Sequence, residues 1–355
     1  MRYVSVCSGM EAASVAWHPL GFTPVAFSEI EPFPCAVLAA RFPNTPNHGS
    51  LTEYASWPIE QGSADILVGG TPCQSFSVGG RREGLDDPRG QLMFSFLGLA
   101  ERLRPRWVLW ENVPGVLSSG QPKGSDFGCL VQGLVERGYG VAWRVLDAIH
   151  FGTPQRRRRV FLVGCLGDWR ASSEVLSLRE GLRGYLTSGS KKRKDPASCS
   201  GAGVKANSQY FDFQAIGQYG NDGSASTLMA RDYKDSKDLV VKPMSVPYTS
   251  SSFAQYAEGV GTVRASGGDL GGGSETLLAQ PMAVRRLTPV ECERLQGFPD
   301  NWSRISWKGK PEEECPDGPR YKACGNSMAV PVMAFIGRQI AAYELNNPSQ
   351  NHETK

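Results

Sequence analysis

Three short polar stretches of this sequence each adjoin an apolar run, and each carries residue types that can do chemistry. Cys73 lies in a glycine-flanked loop, where a thiol can open onto a cleft and be activated as a nucleophile by nearby positive charge. Glu111 and Asn112 end a second apolar run, where a carboxyl group can share a proton with a bound ligand. The third stretch, residues 155–159, is a glutamine followed by four arginines.

Each of these stretches also has an ordinary structural interpretation. Cys73 is one of nine cysteines, and a single cysteine is most often a small buried apolar residue. Glu111 could cap a helix or lie in water. Alternate side chains of a strand face opposite ways, so Arg157 and Arg159 would share one face, as they also would on a solvated basic edge strand. The polar, loop-like surroundings of Cys73 favour the chemical interpretation there.

Alternating strand and helix patterns in the first half of the chain place these stretches at strand ends. Short apolar runs predict strands, and apolar residues at helical spacing predict the helices between them. The predicted strands cover residues 3–6, 24–27, 65–68, 106–110, 141–145 and 160–163. The predicted helices lie around residues 33–42, 92–103 and 127–135. This alternation predicts an α/β protein with a mostly parallel sheet and a ligand at the carboxyl ends of its strands.

Length and composition limit the class of protein. The chain has 355 residues, of which 40% are hydrophobic and 21% charged, and this excludes a wholly disordered chain. No stretch approaches the ~20 apolar residues of a membrane helix, and the N-terminus lacks the apolar core of a secretory signal. We therefore expect a cytoplasmic protein without a membrane partner. Nine cysteines without a CxxC pair and four scattered histidines predict neither a disulfide framework nor a metal site.

The pattern changes after about residue 164. Residues 188–274 are rich in Gly, Ser, Asp and Lys, which predicts a loop-rich segment with short strands or partial disorder. Regular structure resumes at Thr288, which can cap a helix with Glu291 three residues later. A final apolar helix is predicted over residues 327–343.

Five sequence blocks, taken in order, resemble those of the DNA (cytosine-5) methyltransferase family. They are PCQSFS around Cys73, ENV from Glu111, QRRRRV from Gln155, RRLTPVECERLQGFPDNW from Arg285 and GNSMAVPV from Gly325. Any one block is weak evidence, because short motifs occur by chance. Five blocks in the family's order make a chance match improbable.

The resemblance covers roughly residues 1–165 and 284–340, and it implies both fold and domain organisation. The fold would be a Rossmann-like sheet that binds S-adenosylmethionine, with a smaller, loop-rich target-recognition domain. We assign residues 1–165 and 318–355 to the catalytic and cofactor-binding domain and residues 166–317 to the target-recognition domain.

The resemblance also implies a mechanism for the polar stretches. The Cys73 thiolate would attack carbon 6 of a cytosine flipped out of the duplex, while Glu111 holds ring nitrogen 3. Arg159 would bind the carbonyl oxygen of the base and Arg157 would support the same site. The loop of residues 75–89 is a candidate lid. The implied DNA contacts are Gln74, Ser75, Arg81, Arg82 and Gln155.

The implied cofactor is S-adenosylmethionine, and its contacts would come from the turns after the first three strands and from the GNS block. These contacts are Cys7, Ser8, Gly9, Met10, Glu29, Ile30, Ser50, Leu51, Gly70, Pro72, Asn326 and Ser327. The Glu29 carboxylate, at a strand end, could accept both ribose hydroxyls.

The chain departs from the family's pattern in the turns that would hold the cofactor. The family's first turn reads roughly FxGxGG, whereas this chain has CSGMEA, with Cys7 in place of the aromatic residue. Glu11 and Ala12 stand where the family has glycines. The acid that the family favours after its third turn is replaced here by Gly49-Ser50.

The partner implied by the resemblance is double-stranded DNA. Its sequence would be read by the segment between the block that starts at Gln155 and the block that starts at Arg285. An RNA cytosine methyltransferase and a non-catalytic DNA-binding protein of the same fold stay open as alternatives. The second of these is disfavoured because Cys73, Glu111, Gln155, Arg157 and Arg159 are all present. We expect a monomer, acting alone or beside a cognate restriction endonuclease that cuts separately.

Overall fold

A six-stranded sheet forms the centre of the protein. The computed structural model describes residues 1–71, 91–120, 122–177 and 287–348, together with the backbone of seven short strands between residues 209 and 286. The six strands are β1 (Arg2–Val6), β2 (Thr23–Ser28), β3 (Ile66–Gly69), β4 (Trp107–Asn112), β5 (Tyr139–Asp147) and β6 (Arg158–Leu166). Their order in the sheet is β2-β1-β3-β4-β6-β5. β6 runs antiparallel to both neighbours, and the other five strands share one direction.

The α-helices follow the strands in chain order. They are α1 (Ala12–Trp17), α2 (Pro32–Arg41), α3 (Gln91–Leu103), α4 (Ser125–Glu136), α5 (Trp169–Val175), α6 (Pro289–Gln296), α7 (Asp317–Asn326) and α8 (Val330–Asn346). The predicted α/β class and mostly parallel sheet are confirmed. Thr288 caps α6 in a reciprocal arrangement with Glu291, and Gly297 ends the helix at a φ of 82°. Among the helices of the described ranges, none has the length and apolar character needed to span a bilayer.

The seven short strands form two antiparallel sheets. They are β7 (Gln209–Phe213), β8 (Tyr219–Gly220), β9 (Leu239–Lys242), β10 (Val246–Ser250), β11 (Tyr256–Glu258), β12 (Thr276–Ala279) and β13 (Ala283–Arg286). One sheet has the order β11-β10-β12 and the other β13-β9-β7-β8. The sequence predicts short strands over residues 188–274. β7 to β11 lie within that range, whereas β12 and β13 follow it.

Both faces of the inner strands β1, β3, β4 and β6 are largely buried, which explains why these strands read as continuous apolar runs. Successive residues of a strand point to opposite faces, so Tyr3 enters one core and Val4 the other. The Tyr3 side also contains residues of α1, α6 and α8, and the Val4 side contains residues of α3 and α4. Leu287, Leu295 and Phe298 belong to the Tyr3 core, so the chain around α6 folds together with the sheet.

The contact between α1 and α8 anchors the end of the chain to the beginning. Trp17 is fully buried, and its indole nitrogen donates a hydrogen bond of 2.8 Å to the carbonyl of Met333. The ring of Tyr3 meets the Trp17 ring edge-on, with 5.1 Å between centroids. Gly337 lies against the indole, and a Cβ at that position would stand 2.4 Å from its nitrogen. The two helices therefore approach this closely only with glycine at position 337.

We predict that Gly337→Ala lowers the free energy of unfolding by roughly 1–3 kcal/mol, because the added methyl group must displace the buried Trp17 ring. Gly128→Ala is the matched control, since it adds the same group in α4 at a position where a Cβ meets nothing within 4 Å. That control should be neutral or stabilising by up to about 1 kcal/mol. Urea unfolding of both variants measures the difference, and equal stabilities would contradict the packing described here.

Candidate active site

A cavity opens where the carboxyl ends of β1, β3 and β4 meet the segment between α7 and α8. Parallel strands end at one edge of a sheet, so turns that are distant in the sequence come together there. The cavity is lined by Ser5, Cys7, Ser8, Gly9, Glu11, Ala12, Ala13, Val68, Gly70, Glu111, Asn326, Ser327 and Met328. It therefore combines residues predicted for the cofactor with Glu111, which is predicted for catalysis.

The turn after β1 is held in an unusual backbone conformation. Cys7, Gly9 and Glu11 have φ values of 50°, 56° and 65°, in the left-handed region that favours glycine. The amide of Ser8 donates to the carbonyl of Ser28, at 3.1 Å, which ties the turn to the end of β2. These contacts bring the backbone of the turn to the cavity wall.

The carboxylate of Glu29 is fixed by backbone amides. One oxygen accepts from the amide of Gly9 at 2.7 Å, and the other accepts from the amides of Ile30 and Glu31, both at 2.8 Å. The side-chain oxygen of Asn47 accepts a further hydrogen bond of 2.9 Å, from the backbone amide of Glu29. A carboxylate oriented in this way joins the first turn to the end of β2 and can accept hydroxyl groups of a ligand.

The remaining residues predicted for the cofactor occupy different environments. Ile30 is 68% exposed, beside Glu29. Ser50 caps a short 3-10 segment by accepting from the amide of Thr52, and Leu51 is buried in the Val4 core. Met10 is buried in the Tyr3 core. The side chains of Met10 and Leu51 thus pack in the interior, and Pro72 lies outside the described residues.

Glu111, which lines the cavity, forms an ion pair with Arg159. Glu111 lies near the end of β4 and Arg159 near the start of β6, and these strands are antiparallel neighbours. The Nε atom of Arg159 is 3.2 Å from Oε1 of Glu111, and the two side chains are 14% and 12% exposed. A Cβ on Gly70 would stand 3.1 Å from Oε2 of Glu111, so the backbone of Gly70 passes close to this carboxylate. Partial burial orients the pair and strengthens it relative to a pair in water.

Arg157 connects β6 to the segment that precedes α8. Its guanidinium is buried and donates from Nη2 to the carbonyls of Gly325, at 3.2 Å, and Ser327, at 2.6 Å. Its backbone amide donates to Asp147 at 2.9 Å. Burial and the neighbouring Arg159 lower the pKa of Arg157 to about 9, which leaves it charged at neutral pH. Arg157 is thus placed to hold Asn326 and Ser327 at the cavity.

The arginine stretch divides between the two sides of the chain, as the alternation predicts. Arg157 and Arg159 face inward, whereas Arg156 and Arg158 line an open surface cleft with His150. Gln155 is completely buried, and neither polar atom of its amide has a hydrogen-bond partner among the described residues.

Cys73 and the predicted lid, residues 75–89, lie outside the described residues, as do Gln74, Ser75, Arg81 and Arg82. The chain leading to Cys73 is described as far as Thr71. The indole nitrogen of Trp110 donates to the Thr71 hydroxyl at 3.1 Å. This bond holds the start of the cysteine loop beside the residue that precedes Glu111.

A buried network behind the cavity is not apparent from the sequence motifs. Glu293 of α6 is fully buried and accepts from the Arg320 guanidinium of α7 at 3.1 Å and from the amide of Ser303 at 2.9 Å. The network joins α6 to α7, whose last residue is Asn326. Glu11 is a second residue whose place sequence reasoning missed. The motif comparison marks it only as a missing glycine, yet it is buried on the cavity wall.

Comparison with known proteins gives consistent matches over nearly the whole chain. The sequence model of the C-5 cytosine-specific DNA methylase family matches residues 1–342. A DNA N-6-adenine-methyltransferase of Escherichia phage P1 is 37% identical over 95% of this chain, which spans only 61% of that protein's length. The Type II methyltransferase M2.BsuMI of Bacillus subtilis (strain 168) is 29% identical over 96% of this chain and 75% of its own.

Solved structures of methyltransferases share the fold. The Dnmt2 methyltransferase of S. pombe superimposes with a TM-score of 0.56 at 17% identity, covering 99% of both chains. A putative DNA modification methyltransferase encoded within an E. coli prophage gives a TM-score of 0.53 at 20% identity, covering 98% of this chain and 99% of its own.

We predict that Arg157→Gln destabilises the protein by roughly 2–4 kcal/mol, because the carbonyls of Gly325 and Ser327 lose a buried charged donor. Arg158→Gln is the control, since this neighbouring side chain is exposed and should change the stability by less than about 0.5 kcal/mol. Urea unfolding measures both variants. Equal effects of the two substitutions would contradict the linking role of Arg157.

Proposed function

The chain belongs to the C-5 cytosine-specific DNA methylase family, and from this premise we propose that it methylates carbon 5 of a cytosine within a specific double-stranded DNA sequence. The methyl donor is S-adenosylmethionine. The observation that carries the proposal is that Glu111, held by Arg159, lines the same cavity as the turn after β1. Direct transfer requires that the base and the donor meet in one cavity, and this arrangement provides for it.

The residues suit the chemistry of cytosine, whose carbon 5 is a poor nucleophile until a group adds to carbon 6. The Cys73 thiolate forms a bond to carbon 6, and the electron pair of the 5,6 double bond moves through the ring toward nitrogen 3. Glu111 supplies a proton or a hydrogen bond at nitrogen 3, which stabilises the charge that develops there. Carbon 5 takes the methyl group and loses its proton to a water molecule. The electrons of that bond restore the 5,6 double bond as the thiolate leaves carbon 6, and nitrogen 3 returns its proton to Glu111.

The two arginines that face inward have separate tasks in this proposal. Arg159 contacts the carbonyl oxygen of the base. It also orients the side chain of Glu111 toward nitrogen 3 of the base. Arg157 is a positioning residue, because its donors are used on the carbonyls of Gly325 and Ser327. Since the target base is inaccessible in a duplex, it must be flipped out to reach this wall.

The residues that line the cavity, together with Glu29 beside Gly9, fit S-adenosylmethionine. The Glu29 carboxylate is preorganised by three backbone amides and can accept ribose hydroxyls. A Cβ on Gly9 would meet nothing within 4 Å, so the backbone of the turn is open to a ligand. Asn326 and Ser327 close the cavity from the opposite side. When bound, the cofactor supplies an electrophilic methyl group on its sulfonium.

The name of the phage P1 relative indicates adenine N-6 methylation by that protein. The exocyclic amine of adenine carries its own lone pair and needs no prior addition of a thiolate to the ring. The combination of Cys73 with the Glu111–Arg159 pair would have no use in such a reaction. We therefore assign carbon 5 of cytosine as the target of this chain, which spans 61% of that relative's length.

We infer that target recognition belongs to the segment between α5 and α6, residues 178–286. This range is narrower than residues 166–317, because Leu287, Leu295 and Phe298 are part of the Tyr3 core. Arg158 and His150 in the outward-facing cleft suit phosphate groups of the bound duplex. We propose that the protein acts as a monomer, whether alone or beside a separate restriction endonuclease.

The proposed reaction predicts 5-methylcytosine at one short sequence motif in plasmid DNA from cells that express the chain. Cys73→Ser should abolish the mark while leaving DNA binding intact, because serine is a far weaker nucleophile toward the ring. Base-resolution mapping of plasmid DNA measures both. N6-methyladenine in place of 5-methylcytosine would contradict the assignment, and parallel assays on RNA test the alternative substrate.

Glu111→Gln should slow methyl transfer by on the order of 10²-fold, because the amide cannot deliver a proton to nitrogen 3. Single-turnover transfer of a labelled methyl group to the mapped duplex measures the rate. Glu136→Gln, at an exposed position of α4, is the control and should leave the rate unchanged. An unchanged rate in Glu111→Gln would remove Glu111 from the reaction.

A further inference from the structure

Glu11 is a charged residue of the cavity to which the proposed reaction gives no role. It occupies a left-handed conformation, with a φ of 65°, at a position where the family's pattern has glycine. It is 1% exposed and lines the cavity together with Ser5 and Ala12. A side chain in such a strained and buried place is retained only where its surroundings hold it.

Neutral donors hold the Glu11 carboxylate. The hydroxyl of Ser5 donates to Oε1 at 2.7 Å, and the amide of Ser14 donates to Oε2 at 3.2 Å. The hydroxyl of Ser14 also donates to Oε2, and it contacts the hydroxyl of Tyr3 at 2.5 Å. No lysine or arginine of the described residues forms an ion pair with Glu11. When ionised, the carboxylate therefore carries a buried negative charge without a cationic partner in the part of the chain that the structure describes.

The other titratable groups around the cavity do not neutralise this charge. Glu111 is paired with Arg159, and Glu29 is held by backbone amides. Burial and the nearby Glu29 raise the pKa of the Cys7 thiol to about 12, so it is neutral. Burial also raises the pKa of Tyr3 far above its usual range. The cavity wall at Glu11 thus favours a ligand that brings a positive charge.

We propose that the Glu11 carboxylate makes the cavity prefer a cationic sulfonium ligand over the neutral thioether that remains after methyl transfer. This inference rests on the proposed function, since S-adenosylmethionine carries the sulfonium and its product, S-adenosylhomocysteine, lacks it. The two molecules otherwise share their shape and their hydrogen-bonding groups. A fixed charge is therefore the simplest means of telling them apart, and it lets the product leave while the methyl donor binds.

The protonation of Glu11 makes this preference depend on pH. Burial raises the pKa of Glu11 to about 7 in the protein without ligand. A cationic ligand favours the ionised carboxylate, so affinity for S-adenosylmethionine should rise as the pH increases from about 6 to 8. Affinity for the neutral product should change less. Because the amino group of each ligand also titrates, Glu11→Gln provides the reference for every ligand.

Calorimetric titration of the full chain with three ligands tests the proposal. They are S-adenosylmethionine, S-adenosylhomocysteine and sinefungin, in which a protonated amine replaces the sulfonium. Glu11→Gln should weaken the binding of both cationic ligands by roughly five- to tenfold and change the binding of the thioether by less than about twofold. Glu11→Gly removes the charge together with the backbone strain and should show the same pattern. Glu53→Gln, which is exposed, should leave all three affinities unchanged.

Equal weakening of all three ligands in both Glu11 variants would show a packing role and overturn the proposal. Unchanged affinities would overturn it as well, as would a pH dependence of binding that persists unaltered in Glu11→Gln. If the wild-type chain bound none of the three ligands, the proposed function itself would fail, so the two failures are distinguishable.

Discussion

The buried guanidinium of Arg157 is the constraint on which the site depends. A charge in the interior of a protein is tolerated only where hydrogen-bond acceptors surround it. Here the acceptors include the carbonyls of Gly325 and Ser327, which lie 168 and 170 residues further along the chain. One side chain thus fixes the segment before α8 against the start of β6. Two residues later, Arg159 in β6 faces the same side and holds Glu111, so the alternation of side chains places both arginines behind residues that line the cavity.

The C-terminal helices give this link its rigidity. Glu293 and Arg320 join α6 to α7 through a buried ion pair, and such a pair persists only with good geometry and further donors. Ser303 provides a donor, since its amide bonds to Glu293 at 2.9 Å. α8 is held in turn by the bond from Trp17 to the carbonyl of Met333. Asn326 and Ser327 therefore face the first turn from a supported segment, where small shifts would alter the cavity.

Much of the fold and part of the site follow from sequence alone. The inner strands can be predicted from the sequence because both of their faces are buried, which makes them continuous apolar runs. The inward placement of Arg157 and Arg159 follows from strand alternation. The contacts of Arg157 do not, because its acceptors are backbone carbonyls, which leave no trace in residue type. The packing of Leu287 and Leu295 in the Tyr3 core could likewise not be predicted, since a short apolar stretch does not show which residues it will contact.

Covalent addition of Cys73 to carbon 6 of a flipped cytosine is tested most directly by a substrate that stops the reaction after this step. A duplex with 5-fluorocytosine at the mapped position prevents loss of the proton from carbon 5, so the thiolate cannot leave. With S-adenosylmethionine present, we expect a stable protein–DNA adduct whose peptide map places the bond at Cys73, and no adduct in Cys73→Ser. Methylation of the ordinary duplex without any adduct at Cys73 on the fluorinated one would contradict it.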